Sequence, residues 1–481
     1  MNTPPKSVLA AALAAAVLAG CADMRGIEPR AQLRDAAALG LPAAPALAPA
    51  PDWWVPLGDA QLDRLVAQAL QDNPSLRAAS ARVAKADSTV AVVQAADGPQ
   101  LNGTLGLNRQ RFSSNYIYPP PLGGSVQNLG NAQLQGGWAL DFFGRNEGQL
   151  KAALGQARAV QAEHDAARVL LATNVVRTYV QWARLHDQHA LAEQALAQRR
   201  QMLQLAHERA RAGLDNQLAV RQNESSQADT RTQIAALEQQ MQATGHALAA
   251  LLGAPSLPAG VTAPSLAALH ALAVPQQLSA DWLGRRADIA AARWRVQAAQ
   301  GQVQAARAQF YPNINLAGFV GLQSLGFDKL LRGGSAEWGV GPALSLPIFE
   351  GGRLRGQLRG AVADEDAAIE SYNATVIGAL REVADEALAV RAVARQQHEQ
   401  APALQAAEAA WDIARQRYGA GLGTYLNVLV ADAAVLAQRR QSVDLSAQAL
   451  LAQVGLAQAM GGGWQPTTAA PQNESTGASA R

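Results

Sequence analysis

Residues 308–322, AQFYPNINLAGFVGL, and residues 338–361, WGVGPALSLPIFEGGRLRGQLRGA, read as strand, strand and then helix. Pro312 closes a preceding helical run, and Ile314, Leu316, Gly318, Val320 and Leu322 alternate along one side of the first strand. Trp338, Val340, Leu344, Leu346 and Ile348 do the same in the second, before EGGRLRGQLRGA turns the chain into a helix of many turns. Two short strands therefore lie between much longer helices.

The same order occurs once upstream. Arg82, Val83, Val90, Pro99 and Asn102 match Arg295, Val296, Val303, Pro312 and Asn315 without a gap, at a constant offset of 213 residues (Pro99 to Pro312). ARAGLDNQL after Glu208 matches YGAGLGTYL after Arg417, with Gly213 opposite Gly421 and Leu218 opposite Leu426, at an offset of 208 (Gly213 to Gly421). A duplication of this length means one architectural unit used twice.

The upstream strand pair comprises Leu101, Gly103, Leu105 and Leu107, alternating with Asn102, Thr104 and Gly106, and a partner from Ala132 reading AQLQGGWALDFF. Each strand is about nine to eleven residues, the length a tilted strand needs to cross a bilayer. The expected strands are 100–112, 131–143, 313–323 and 336–348.

The helical pattern from Gly148 to about Ala212 places Leu191, Ala195, Gln198, Met202 and Leu205 at alternating four and three spacings. Its counterpart, Leu354 to Tyr418, carries Val376, Leu380, Val383, Ala387, Val390, Ala394, Gln397 and Ala401, a coiled-coil seam that Pro402 should kink. Such helices are about 95 Å long. The chain reverses at Gly213 and Gly421 and returns from Gln217 to Leu252 and from Thr424 to Met460, over roughly 55 Å. Asp215 and Thr424 are placed to cap the returning helices. Shorter helices precede the strands: one around Leu62 to Leu70, one opened by the Asn73 cap with Pro74 in its first turn and running to about Asp97, and one from Asp288 to Gln309.

Composition agrees with this layout. Aromatics are only 5%, alanine is abundant, and the net charge of +2 offers no extended basic face for nucleic acid. Lys6 precedes an apolar run ending Leu18-Ala19-Gly20-Cys21, shaped as a secretory signal. Cys21 is the only cysteine, so an intrachain disulfide is impossible. The expected organisation is a signal over 1–20, a leader over 21–58 that is extended from 22 to 51, a first repeat over 59–253, a linker over 254–280, a second repeat over 281–463 and a disordered tail over 464–481. His186 and His189 share one side of a helix, but no third ligand motif accompanies them, and a solvated face is the reading taken. The chain has no recognisable nucleophile elbow, zinc motif or phosphate loop, so neither an enzyme nor a cofactor is expected.

Taken together, the Cys21 lipobox LAGC, DWWVPLGDAQLDRLVAQALQDNPSL, RRADIAAARWRVQAA, FYPNINLAG, LSLPIFEGGRLRGQL and RYGAGLGTYLNVL resemble the TolC-like outer-membrane efflux proteins, and within them the NodT-type lipoproteins of resistance-nodulation-division (RND) pumps. The resemblance implies a mainly α fold with a transmembrane β portion. On that resemblance, long antiparallel coiled-coil helices are expected to form an α-barrel in the periplasm, and each subunit to give four strands to a twelve-stranded barrel of a homotrimer. It also implies an outer-membrane exit duct lipidated at Cys21, passively conducting small molecules from an inner-membrane RND transporter and a periplasmic adaptor.

By the same resemblance Gly213, Leu214, Asp215, Gly421, Leu422 and Thr424 form adaptor-docking tips, and Arg417, Tyr418 and Leu426 form the periplasmic gate. Val430 stands where some relatives carry a latching carboxylate, and Asp432 lies about 200° around the helix from it. Ala287 and Ala292 depart from the family's RRPDI pattern, which predicts weaker contacts there. Two rivals accept the same helices: a lipid-anchored periplasmic coiled-coil scaffold without a pore, and a type I secretion duct.

Overall fold

The computed structural model describes residues 24–34, 50–274 and 280–465; the signal, Cys21 and most of the expected tail lie outside the described residues. In chain order the elements are α1 (Ala60–Asp72), α2 (Pro74–Ala95), β1 (Gln100–Arg111), β2 (Val126–Leu140), α3 (Arg145–Arg211), α4 (Gln217–Leu251), α5 (Ala287–Ala308), β3 (Asn313–Leu325), β4 (Ala336–Ser345), α6 (Arg353–Gly419) and α7 (Tyr425–Ala459). Three pairs of helices repeat at equal length. α2 and α5 have 22 residues each, α3 and α6 have 67, and α4 and α7 have 35.

The chain folds as two compact units, and α2, α3, α5 and α6 contribute to both. Among the described residues the first holds 24–33, Arg82–Gln161 and Ala291–Asn373. Its sheet has the order β1-β2-β3-β4, every neighbouring pair antiparallel. Behind the strands α3 and α5 approach to backbone contact: a Cβ at Gly148 would lie 2.6 Å from the Ala305 nitrogen, and one at Gly155 would lie 2.8 Å from the Ala298 nitrogen. Glycines one heptad apart thus let two backbones touch where larger side chains would hold them at the usual 8–10 Å. A short apolar core joins Ile27 of the leader to Val303, Phe310, Leu354 and Leu358. The leader is tied down by Arg30 and Ala31, whose backbone N–H groups donate to Asp366 Oδ1 at 2.8 and 2.9 Å.

The second unit holds the other described residues. Its core packs Trp53, Trp54, Leu57, Leu62 and Val66 against Val175, Val176, Tyr179, Leu248 and Leu252. Asn73 caps α2 as expected, its Oδ1 accepting from the Ser75 and Leu76 N–H groups. Residues 254–274, expected as a linker, are built into this core, with Leu266 and Leu269 buried. Trp464, expected in the tail, donates its indole N–H to Asp165 Oδ2 at 3.0 Å.

Several other expectations shift. β2 starts earlier and ends at Leu140 because Asp141 leaves the ladder to cap α3, its carboxylate accepting from the Arg145, Asn146 and Glu147 N–H groups at 2.8–2.9 Å. β4 ends at Ser345, two residues before Pro347, which has no N–H to donate to a ladder. Pro402 does not interrupt α6: it and His398 one turn back are both exposed, so water can reach the carbonyl that loses its partner. The seam of α6 also drifts, since Val376, Val383 and Val393 are buried whereas Ala394 and Ala401 are exposed. A helix of 3.6 residues per turn slips against a strict heptad in this way.

Ala287 and Ala292 are both buried. Buried Arg286 donates to Asp288 at 2.6 Å, to Glu382 at 2.8 Å and to the Ala459 carbonyl at 3.0 Å.

Candidate functional site: a two-faced sheet and a pair of helical tips

Register turns four separate alternations into two chemically distinct surfaces. Residues paired across an antiparallel ladder share a face. From β1 to β4, Leu105 pairs with Ala132, Ala132 with Leu322 and Leu322 with Ala336; a second row runs Gly103, Leu134, Val320, Trp338, and a third Leu101, Gly136, Gly318, Val340. Trp138, Leu316 and Pro342 make the next row, and Leu140, Ile314 and Leu344 the last. Over these five rows the face is apolar.

The opposite face carries Asn102, Gln135, Phe319 and Gly339 in one row and Thr104, Gln133, Gly321 and Glu337 in another, with Gln100, Asn108, Gln110, Asn131, Asn313, Asn315 and Gln323 around them. Phe319 and, in the Asn108 row, Leu129 and Leu325 are its large apolar residues; the Phe319 ring covers Gly339, which has no side chain to clash.

The apolar face is open: Leu101, Leu105, Trp338 and Val340 are each more than two thirds exposed. Leaving such side chains in water forgoes roughly 1.5–3 kcal/mol apiece, and a contiguous patch of this extent marks an interaction surface. From the Leu140 row to the row of Leu107 and Gly130 the face runs ten residues of β2, about 33 Å along the strand, or about 25 Å of height at the tilt of membrane barrels. That height matches their lipid-facing band. No described helix is long and apolar enough to cross a membrane. The outer edges of β1 and β4 have no strand partner among the described residues.

The tips lie in the second unit. Gly213 and Gly421 are both left-handed, at φ 71° and 77°. Each ends its helix in a Schellman motif: Leu214 N–H donates to the Arg209 carbonyl at 2.9 Å, and Leu422 N–H to the Arg417 carbonyl at 2.8 Å. The returning helix α4 is capped by Asn216, whose Oδ1 accepts from Leu218 and Ala219, rather than by Asp215. Thr424 occupies the cap position of α7 but makes no side-chain bond there.

Asp215 is used differently. Its Oδ2 accepts from the Tyr418 hydroxyl at 2.9 Å, so one hairpin tip is tied to the other. Arg209 completes the cluster, with its guanidinium carbon 4.7 Å from the Tyr418 ring centroid and Nε 3.7 Å from Asp215. Burial, then the hydrogen bond to Asp215, pushes the Tyr418 phenol up to about 12, so it stays a proton donor through the physiological range. Tyr418 is fully buried, among Ala219, Tyr425 and Val428.

The structure therefore joins Tyr418 to Asp215 and separates it from its sequence neighbour. Arg417 is exposed, its guanidinium reaching the Leu422 carbonyl at 3.4 Å. Leu214, Leu218, Leu422, Leu426 and Val430 are all exposed at the tips.

Sequence reading missed Arg209, although it lies one turn before Gly213, and it missed the partner of Asp432. That carboxylate is buried and paired with Arg199 on α3 at 2.7 Å; Arg199 also donates to the Ser226 carbonyl and, in a very short bond, to Thr230. Breaking this pair strands a buried charge, so Asp432→Ala should destabilise the tip region by about 3–5 kcal/mol. Limited proteolysis should then cut near residue 432 in the variant and leave the native chain whole. Of the two histidines, His189 is not solvated as expected: it faces α4, 3.6 Å from Glu238.

The sequence matches the family described as "Outer membrane efflux protein" over residues 65–254 and 278–462. It is 38% identical over 376 residues to the fusaric acid resistance protein FusA of Burkholderia cepacia, covering 76% of this chain and 71% of that one. It is 30% identical over 467 residues to the putative multidrug resistance outer membrane protein MdtQ of Escherichia coli K12, covering 93% and 96%. The crystal structure of the outer membrane protein VceC from Vibrio cholerae superposes with a TM-score of 0.82 at 35% identity, covering 87% of this chain and all of that one. An apolar band of membrane height backed by a polar face is the chemistry those names require, and the chain belongs to the outer membrane efflux protein family.

Proposed function

We propose that this chain is the exit duct of a tripartite efflux pump, assembled as a homotrimer whose three four-stranded sheets close a twelve-stranded barrel in the outer membrane. The observation that carries this reading is the two-faced sheet with two open edges. Hydrocarbon offers no water to bond an unpaired strand, so β1 of one copy must meet β4 of the next. Closure turns the apolar face to lipid and the Asn, Gln and Thr face to an aqueous lumen, a path for small molecules that needs no chemistry from the wall. Energy then enters upstream, at an inner-membrane pump of the RND type joined through a periplasmic adaptor. The two repeats, 59–253 and 281–463, supply the periplasmic helices, and Cys21 supplies the lipid anchor. The tips at Gly213, Leu214, Asp215, Gly421, Leu422 and Thr424 receive the adaptor.

The decisive experiment purifies the protein from outer membranes and measures heat-modifiable oligomers and single-channel current in planar bilayers. A poreless scaffold predicts neither. Within this reading exposed Leu426 narrows the gate, with Arg417 at its rim and Tyr418 held behind it. Leu426→Ala should raise conductance about twofold and increase sensitivity to large antibiotics; unchanged values for both would move the constriction elsewhere.

A further inference from the structure

The lipid-facing side of β1 does not end in apolar residues. By the alternation that places Leu101, Leu105 and Leu107 on that face, Arg109 and Arg111 continue it at the end of the strand away from the helices, paired with Asn128 and Val126. Both arginines are exposed, and neither guanidinium has a hydrogen-bond or ion-pair partner among the described residues. No Asp or Glu occurs between Gly98 and Leu140 to neutralise them. A third cation is brought alongside, since Gly326 N–H donates to the Asn128 carbonyl at 2.7 Å and the short turn Phe327–Lys329 follows. Lys329 is exposed and its ammonium too has no partner among the described residues, whereas Asp328 faces Arg332 at 3.7 Å. The helix-proximal end of the same face carries Trp138, Leu140, Ile314 and Leu344 instead.

We propose that Arg109, Arg111 and Lys329 bind the phosphate groups of a bisphosphorylated glycolipid in the outer leaflet. The inference rests on the membrane reading of the sheet. An arginine is costly at the bilayer midplane and nearly free at the interface, so these groups mark headgroup level on one side only. There an arginine that the protein leaves unpaired meets phosphate bidentately, and two on one strand face, spaced by a single residue, suit a headgroup with two phosphates. The apolar rows below them receive the acyl chains.

The test is native mass spectrometry of the protein purified from outer membranes, exchanged into detergent and offered bisphosphorylated lipid A, the same lipid dephosphorylated, or phosphatidylglycerol. Native protein should retain lipid A at least fivefold better than either other lipid. Arg109→Gln/Arg111→Gln should lose at least fivefold of that retention and Lys329→Gln about twofold, with single-channel current unchanged in both. Equal retention of the dephosphorylated lipid or of phosphatidylglycerol, full retention by the double variant, or displacement by millimolar inorganic phosphate alone would each overturn the proposal. Native protein that conducts but retains no lipid A refutes this inference and leaves the duct intact; native protein that neither inserts nor conducts refutes the duct itself.

Discussion

Val320→Arg should abolish the folded membrane form. Val320 sits in a central row of the apolar face, between Leu134 and Trp338, on a strand with partners on both sides. A guanidinium at that depth costs about 2–4 kcal/mol per copy, and a closed assembly incurs it in every subunit at once. Outer-membrane abundance and heat-modifiable oligomer should fall at least tenfold. The partner experiment moves the charge one face away: Gln135→Arg lies on the polar side, opposite Asn102 and Phe319. It should assemble normally and shift the open channel toward anions, because a charge facing water carries no such penalty and alters the lumen potential. Normal insertion of Val320→Arg, or failure of Gln135→Arg to insert, would show that the faces have been assigned to the wrong solvents.

Asp215→Ala should produce the largest change in permeability. The carboxylate is the acceptor for the buried Tyr418 hydroxyl, and its removal leaves that hydroxyl unsatisfied, a cost of about 1–3 kcal/mol borne by the state in which the two tips are joined. Conductance at rest should rise several-fold, with a matching gain in vancomycin sensitivity. Tyr418→Phe removes only the hydroxyl, keeps a ring for Arg209 to lie over, and should give the same direction at smaller size. Because the phenol is raised from about 10 to about 12, its share of the tie is fully present below the unfolded value and is lost only as pH climbs through the folded one. Conductance of the native channel between pH 6 and 8 should therefore show no step due to Tyr418. Unaltered resting conductance in both variants would mean that this tie does not restrain the gate.

Much of the architecture was legible because it is written in period and repetition. The offset from Pro99 to Pro312 gave two copies, the strand alternations gave four strands, and the two glycines gave the reversals. The tip cluster was only half legible. Gly213 and Gly421 announce themselves through backbone conformation, which is local. Tyr418 and Asp215 are some two hundred residues apart, and their meeting depends on how α3 and α6 are packed, so the sequence could suggest a cap for Asp215 but not its real acceptor role. Asp432 shows the same limit: helical geometry ruled it out as a direct replacement for a carboxylate at Val430, yet only packing revealed that it neutralises Arg199.

By itself the sequence determined the duplicated order of elements, the length of the helices and which residues of each strand are apolar, because these follow from periodicities of 3.6 and 2 along one chain. Only the tertiary structure decided that most of the large apolar residues of all four strands fall on one common face, that Arg109 and Arg111 prolong it, and that Tyr418 turns inward to Asp215 while Arg417 turns out. The reason is register. A slip of one residue between two strands would send half of the apolar set to the polar side, and no pattern within a single strand records which neighbour it will meet or at what offset.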